Sequence, residues 1–115
     1  MRSGGEGKWQ GVPDDAPFRH FTPTPDILFD RLLGNVTPAE WEVICYVVRQ
    51  TYGWKAPAHA VSIRALARAL KRSTSTIRQA VARLEQRGVL LVERSRGEDG
   101  TPAVNVYRLR RQSDP

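Results

Sequence analysis

The stretch from Ser62 to Leu84, SIRALARALKRSTSTIRQAVARL, predicts two short helices joined by a tight polar turn. Each half repeats apolar residues at the i, i+3, i+4, i+7 spacing that marks one helix face. These apolar positions are Ile63, Leu66, Ala67 and Leu70, and then Ile77, Ala80, Val81 and Leu84. Because both stripes can pack on one core, the pattern predicts a helix-turn-helix whose second helix is free to enter a groove.

The second helix is predicted to begin at Ser73 or Thr74, and Ser62 is predicted to cap the first. Short hydroxyls compete for backbone hydrogen bonds, so they suit a helix start, where the free N–H groups also favour phosphate. Arginine reads guanine edges and glutamine reads adenine edges, which suits the residues that point away from the apolar stripe. The predicted DNA-contacting residues here are Arg72, Ser73, Thr74, Ser75, Thr76, Arg78, Gln79 and Arg83. An ordinary solvated helical hairpin is the alternative.

Net charge is concentrated in the half of the chain that contains this motif. The whole chain carries a charge of +6, but residues 1–60 hold 6 Lys or Arg and 7 Asp or Glu. Residues 61–115 hold 12 Lys or Arg, of which 11 are Arg, against 5 Asp or Glu, which gives +7. Such a clustered basic charge is typical of a nucleic-acid-binding surface.

The 115-residue length indicates one domain with a modest core. We expect a tail over residues 1–17, a folded domain over residues 18–110 and a short tail over residues 111–115. No apolar run approaches the roughly 18 residues of a membrane span, and the start lacks a signal-peptide core. A cytoplasmic protein without membrane contact is therefore expected. The single cysteine, Cys45, is predicted to be a small buried core residue, compatible with a reducing compartment.

Two helices are predicted before the motif. Thr24 is expected to cap a short helix of about two turns that begins at Pro25 and ends at Gly34 or Asn35. Thr37-Pro38-Ala39-Glu40 is a capping box that opens the most apolar helix, which should run to about Tyr52 and form the centre of the core. Glu40, Glu42 and Arg49 are expected to face water on this helix, and Gly53 is expected to end it in the left-handed conformation. Tyr52 and Trp54 can cover the core or, alternatively, stack on bases.

A β-hairpin is predicted directly after the second helix of the motif. Gly88 should end that helix, and strands are predicted at Val89–Val92 and Ala103–Leu109. The Gly97–Gly100 segment has the residue types of a turn. A small strand at Ala60-Val61 is also expected. The order of elements predicts an α+β, mainly α, winged helix-turn-helix with a three-helix core and an extra short N-terminal helix. Arg94 and Arg96 would then reach phosphates or a minor groove, while the acidic Glu98 and Asp99 keep the tip of the wing away from DNA.

Beyond these patterns, the chain resembles the N-terminal DNA-binding domain of the lambda-type phage replication initiators, the phage replication protein O family. The resemblance covers residues 18–109, and Arg49-Gln50-Thr51-Tyr52-Gly53-Trp54-Lys55 is its most distinctive segment. The other segments are Phe21-Thr22-Pro23-Thr24-Pro25, Thr37-Pro38-Ala39-Glu40-Trp41, the helix-turn-helix with Leu84-Glu85-Gln86-Arg87-Gly88-Val89, and Asn105-Val106-Tyr107-Arg108-Leu109. Lys71 departs from the pattern, because such turns usually have Gly there.

The resemblance implies binding to repeated origin sites on double-stranded DNA, as a homodimer on repeated or palindromic sites. It also implies recruitment of helicase machinery, which in the family uses a further C-terminal region. A small winged-helix transcriptional repressor is the alternative, and a protein-interaction module is disfavoured by the basic charge. No enzyme is expected, since the sequence has no nucleophile–base pair and no phosphate loop after a strand. No cofactor is expected, and the lone His59 lacks neighbours at metal-ligand spacing.

Overall fold

The fold is that of a computed structural model, which describes residues 8–16, 18–95 and 103–115. A five-residue π-helical turn, Leu28–Leu32, precedes the first long helix, α1, at Pro38–Thr51. The remaining elements are a 3₁₀ turn at Tyr52–Trp54, β1 at His59–Val61, α2 at Ile63–Leu70, α3 at Thr74–Gln86, β2 at Leu90–Glu93 and β3 at Asn105–Leu109. The predicted turn at Gly97–Gly100, with Arg96, Glu98 and Asp99, lies outside the described residues, as do residues 1–7 of the predicted tail.

The architecture is α+β and mainly helical, as predicted, with three helices packed on a three-stranded antiparallel sheet. The strand order is β1-β3-β2, so the last strand of the chain lies in the middle. Ala60 of β1 faces Val106 of β3, and Leu91 of β2 faces Arg108 of β3. The two strands after α3 therefore pair antiparallel as predicted, an arrangement compatible with a winged helix-turn-helix. The pairing of β1 with β3 extends the hairpin into a sheet and was not part of the prediction.

Helix α1 begins with the predicted capping box. The Glu40 N–H donates to Thr37 Oγ1 at 3.1 Å, and the Thr37 N–H donates to Glu40 Oε1 at 3.0 Å, so two helix-end donors are satisfied. The side chains buried most completely come from all the layers around this helix: Val43, Ile44, Val47, Leu66, Ile77, Val81, Leu84, Leu90 and Tyr107. The core therefore lies where α1, α2, α3 and the sheet meet.

Two predictions about side chains on α1 were wrong. Cys45 is exposed, because the core is filled from Val43, Ile44, Val47 and Val48, a stripe that leaves position 45 on the flank. Glu40 was expected to face water but is only 4% exposed. The capping-box hydrogen bond folds its carboxylate back over the helix start, which holds the side chain against the protein.

The ends of the N-terminal elements also differ from prediction. Thr24 caps nothing, because its hydroxyl donates to the carbonyl oxygen of Thr22 at 3.1 Å. Gly53 lies within the 3₁₀ turn, and the left-handed residue that ends this turn is Lys55, with φ 54°. Glycine fits position 53 for a different reason, since a Cβ there would lie 2.7 Å from Arg49 Nη1. The first helix is a single π-helical turn rather than two α-helical turns.

The two aromatic residues after α1, Tyr52 and Trp54, differ in burial. Tyr52 is half-buried and packs against the core, whereas Trp54 is 64% exposed and so does not cover it. The Arg49 guanidinium carbon lies 4.7 Å from the centre of a Trp54 ring, a cation–π contact on the surface.

Within the described residues, no helix is long and apolar enough to span a bilayer. In the same part of the chain, no three His, Cys, Asp or Glu side chains are placed to share a metal ion.

Candidate nucleic-acid interface

The turn between α2 and α3 is built around Lys71. Ser62 caps α2 by accepting from the Ala65 N–H at 3.1 Å, as predicted. At the other end Lys71 adopts the left-handed conformation, with φ 58° and ψ 45°, where related turns use glycine. The next N–H, that of Arg72, donates to the carbonyl oxygen of Ala67 at 3.0 Å. Lys71 therefore makes the tight turn with its side chain in place, and α3 begins where the sequence predicts.

The start of α3 is capped by Ser73. Its Oγ accepts from the Thr76 N–H at 3.1 Å and lies 2.9 Å from Thr76 Oγ1. These internal contacts occupy the Ser73 and Thr76 hydroxyls, whereas Ser75 is exposed in the first turn of the helix. The helix end still offers unpaired backbone donors and a positive dipole to an anion. Thr74 is half-buried.

The outer face of α3 forms one wall of a concave surface that we call the α3–hairpin groove. Arg78 and Gln79 are exposed on this wall, and neither side chain makes a hydrogen bond or ion pair with another described residue. The groove has a volume of about 630 Å³. Its lining comes from α2, α3 and the hairpin: Ile63, Ser75, Arg78, Gln79, Val81, Ala82, Arg94 and Asn105. Four of the ten predicted DNA-contacting residues thus share one concavity.

Arg94 lies across the groove from α3 and is held by Glu85. Arg94 Nη1 and Nη2 each lie 2.8 Å from a Glu85 carboxylate oxygen. This hydrogen bonding raises the pKa of Arg94, against a smaller opposing effect of burial. The pair fixes the guanidinium at the base of the hairpin. A phosphate that binds Arg94 must therefore compete with Glu85.

Arg72 and Arg83 lie on a different side of α3, towards α1. Arg72 makes a two-point ion pair with Glu42, at 2.7 and 2.9 Å, and this hydrogen bonding raises the pKa of Arg72. Arg83 Nη1 lies 3.9 Å from Glu40 Oε2. The predicted contact set is therefore divided. Arg78, Ser75 and Arg94 line the α3–hairpin groove, whereas Arg72 and Arg83 are drawn towards carboxylates of α1. Gln79 lies between the two groups, because it also lines a second concavity of about 300 Å³ with Arg72 and Arg83. The structure does not describe Arg96.

Two further arginines, absent from the predicted set, are exposed on α2, the first helix of the helix-turn-helix. Arg64 and Arg68 lie one turn apart, and neither side chain makes a hydrogen bond or ion pair with a described residue. The first helix of a helix-turn-helix crosses the DNA backbone, so this is where phosphate-binding cations are needed. Their i, i+4 spacing off the apolar stripe of α2 was the available sequence signal.

Comparison with known proteins gives a match to a family model. The family model HVO_A0114 matches residues 55–110, just under half of the chain, and no curated protein and no solved structure matches. The matched part runs from the connector before β1 to the residue after β3. The chain is thus similar to that family over the helix-turn-helix and the sheet, the region that contains the α3–hairpin groove.

Proposed function

We propose that the protein binds double-stranded DNA sequence-specifically, as an origin-recognition protein of the phage replication initiator type. The observation that carries the proposal is the presence of Arg78 and Gln79, side by side, exposed and without a described partner, on the wall of the α3–hairpin groove. Arginine can bond guanine and glutamine can bond adenine through two hydrogen bonds each. An exposed helix face with both residue types suits base readout in a major groove.

The charge around this face supports the same function. Arg64 and Arg68 on α2 have no described carboxylate partner and can contact phosphates on one side of α3. Arg94 extends the basic surface on the other side. Phosphate contacts of this kind give affinity and register, whereas base contacts give specificity. The surface thus has both components that a sequence-specific binder needs.

We expect Arg72 and Arg94 to have a smaller role in DNA binding than Arg78, because both are ion-paired. Each already has a carboxylate as hydrogen-bonding partner, so a contact with phosphate replaces an existing interaction instead of adding one. The gain in affinity from these two is smaller than that from an arginine without a partner. Arg78 is accordingly the residue on which readout should depend most.

The test is selection of bound sequences from a random duplex pool, at physiological salt, with the whole chain. Arg78→Ala is compared with Arg19→Ala, which removes an exposed arginine of the N-terminal segment. We expect one enriched motif, lost with Arg78→Ala and kept with Arg19→Ala. The absence of any enriched motif, with weak binding that salt abolishes, would overturn sequence-specific recognition.

The same experiment separates the initiator from the repressor. Occurrence of the motif as clustered repeats near a replication gene supports origin recognition. Occurrence as a single palindrome upstream of a promoter supports a transcriptional repressor that uses the same winged helix, and contradicts the origin assignment.

A further inference from the structure

A second concavity lies between the π-helical turn, the end of α1 and the residues that follow β3. This C-terminal groove, defined by Leu32, Tyr52, Leu109, Arg31, Arg110 and Arg111, has a volume of about 620 Å³. Its floor is mainly apolar, and its lining shares no residue with the α3–hairpin groove. It is therefore a separate surface from the one that we propose for DNA.

The rim of the C-terminal groove is positively charged. Three arginines line it, and no Asp or Glu is among its described lining residues. The Arg31 side chain has no hydrogen bond or ion pair with a described residue. Arg110 donates to the backbone oxygens of Asp114 and Pro115 at 3.2 and 3.3 Å. Arg111 Nη2 lies 3.7 Å from Asp114 Oδ1, so Arg31 is the rim arginine whose charge has no described partner. The groove therefore suits a segment with apolar side chains and negative charge.

The chain itself contains such a segment near its start. In the arm, residues 8–16 and 18, Trp9, Val12 and Phe18 are exposed by 73%, 64% and 84%. Between them lie the exposed carboxylates of Asp14 and Asp15, of which Asp15 is 4.0 Å from the Arg19 side chain and 3.9 Å from the His20 ring. Lys8 is the one basic residue of the arm, so its net charge is −1. Large apolar side chains exposed together in one short segment are typical of a surface that a partner covers.

We propose that the arm of one copy docks in the C-terminal groove of a second copy, and that the exchange is reciprocal. The apolar side chains of the arm match the floor, and Asp14 and Asp15 match the arginine rim. The arm does not line the groove of its own chain, whose first lining residue is Pro25. Two such contacts, related by a twofold axis, form a closed dimer in which both arms and both grooves are occupied. This inference deepens the partner assignment of the proposed function, but the association requires no DNA.

The test is sedimentation velocity of the whole chain across a wide concentration range, without DNA. We expect a monomer–dimer equilibrium that Trp9→Ala together with Phe18→Ala weakens at least tenfold. Arg31→Glu should weaken it similarly. Because these side chains are exposed, the substitutions leave the fold intact, which circular dichroism checks. Arg68→Glu reverses an exposed charge outside the groove and should leave the dimerisation constant unchanged.

A charge-exchange experiment identifies the contact. Asp14→Lys with Asp15→Lys in one chain, and Arg31→Glu with Arg110→Glu in another, should each abolish self-association. Mixing the two variants should restore a heterodimer, because each arm then meets a groove of opposite charge. Monomers at every concentration, or a dimer that arm substitutions leave unchanged, would overturn the proposal. So would a Trp9 contribution to the fluorescence, taken as the difference from the Trp9→Phe variant, that responds to Arg31→Glu but not to concentration, because that result indicates docking within one chain. A dimer with no enriched DNA motif would refute the proposed function alone.

Discussion

The Arg72 guanidinium and the Glu42 carboxylate are joined by two hydrogen bonds, at 2.7 and 2.9 Å, across 30 residues of sequence. Arg72 lies in the turn before α3, and Glu42 lies in the second turn of α1. The pair ties the turn of the helix-turn-helix to the core helix. It also neutralises a cation beside the proposed DNA surface, so we expect Glu42 to limit what Arg72 can contribute to the proposed DNA binding.

Glu42→Gln should therefore increase affinity for DNA of any sequence. Without the carboxylate, Arg72 can contact a phosphate, and the salt dependence of binding should steepen by about one ion. Fluorescence anisotropy with cognate and random duplexes at several salt concentrations measures this. Asp26→Asn, which removes an exposed negative charge in the N-terminal segment, is the matched control. Equal gains from both substitutions would show that net charge alone is responsible.

Arg78→Ala and Arg64→Ala should have different effects on the affinities for cognate and random DNA. Arg78→Ala should cost ~1–3 kcal/mol on the cognate site and little on random DNA, because a base contact is lost. Arg64→Ala should weaken binding to cognate and random DNA by the same factor, because a phosphate contact is lost. It should also reduce the slope of log affinity against log salt concentration by about one. Titration of both duplexes with both variants measures the difference. Equal losses on cognate and random DNA for Arg78→Ala would contradict base readout.

Ser73 allows helix capping to be separated from DNA binding. Ser73→Ala should lower the free energy of unfolding by about 1 kcal/mol, because the Thr76 N–H loses its acceptor. Ser73→Asp keeps an acceptor there and suits the positive end of the helix, so stability should be retained. Its carboxylate should nevertheless repel phosphate and weaken DNA binding. Urea unfolding and anisotropy measure the two effects, and unchanged DNA affinity for Ser73→Asp would place the phosphate elsewhere.

Lys71 carries a conformational cost that glycine would remove. A side chain in the left-handed region costs roughly 1 kcal/mol, so Lys71→Gly should raise the free energy of unfolding by up to about that amount. Lys71→Ala keeps the cost and serves as the control for loss of the lysine chain. Urea unfolding of both variants measures the effect. A Lys71→Gly variant no more stable than Lys71→Ala would contradict the left-handed assignment.

Asp114 should make stability depend on pH under acidic conditions. Hydrogen bonds from Arg108, at 2.8 and 2.9 Å, and from the Arg111 N–H hold the pKa of Asp114 well below its usual range. A depressed pKa in the folded state means that this contribution to stability is complete near neutral pH and is lost as pH falls below about 5. Asp114→Asn should flatten that dependence. Thermal unfolding from pH 7 to pH 3 measures it, and parallel curves for both proteins would contradict the assignment.

The elements that local signals specify could be predicted from the sequence. The capping box at Thr37, the caps at Ser62 and Ser73, and the start of the hairpin each depend on residues within a few positions of one another. The exposed positions of Arg78 and Gln79 followed from helical periodicity in the same way. These features are fixed by the backbone needs of single elements, which the sequence displays directly.

Contacts between distant residues could not be predicted. The pairing of β1 with β3 joins Ala60 to Val106, and a three-residue strand gives little periodicity to indicate its partner. The ion pairs that hold Arg72 and Arg94 depend on how α1 and the hairpin pack against α3. Charge composition marks a basic half but does not reveal which arginines already have partners.

The central position of β3 has a consequence for the order in which the protein is made. The strand before the helix-turn-helix and the strand after it both pair with β3, which follows all of these elements along the chain. Until residue 109 has emerged from the ribosome, neither neighbour has its hydrogen-bonding partner, and Tyr107 and Leu109 are missing from the core. A nascent chain can form its helices early, but the surface that we propose for DNA becomes fixed only after β3 has emerged.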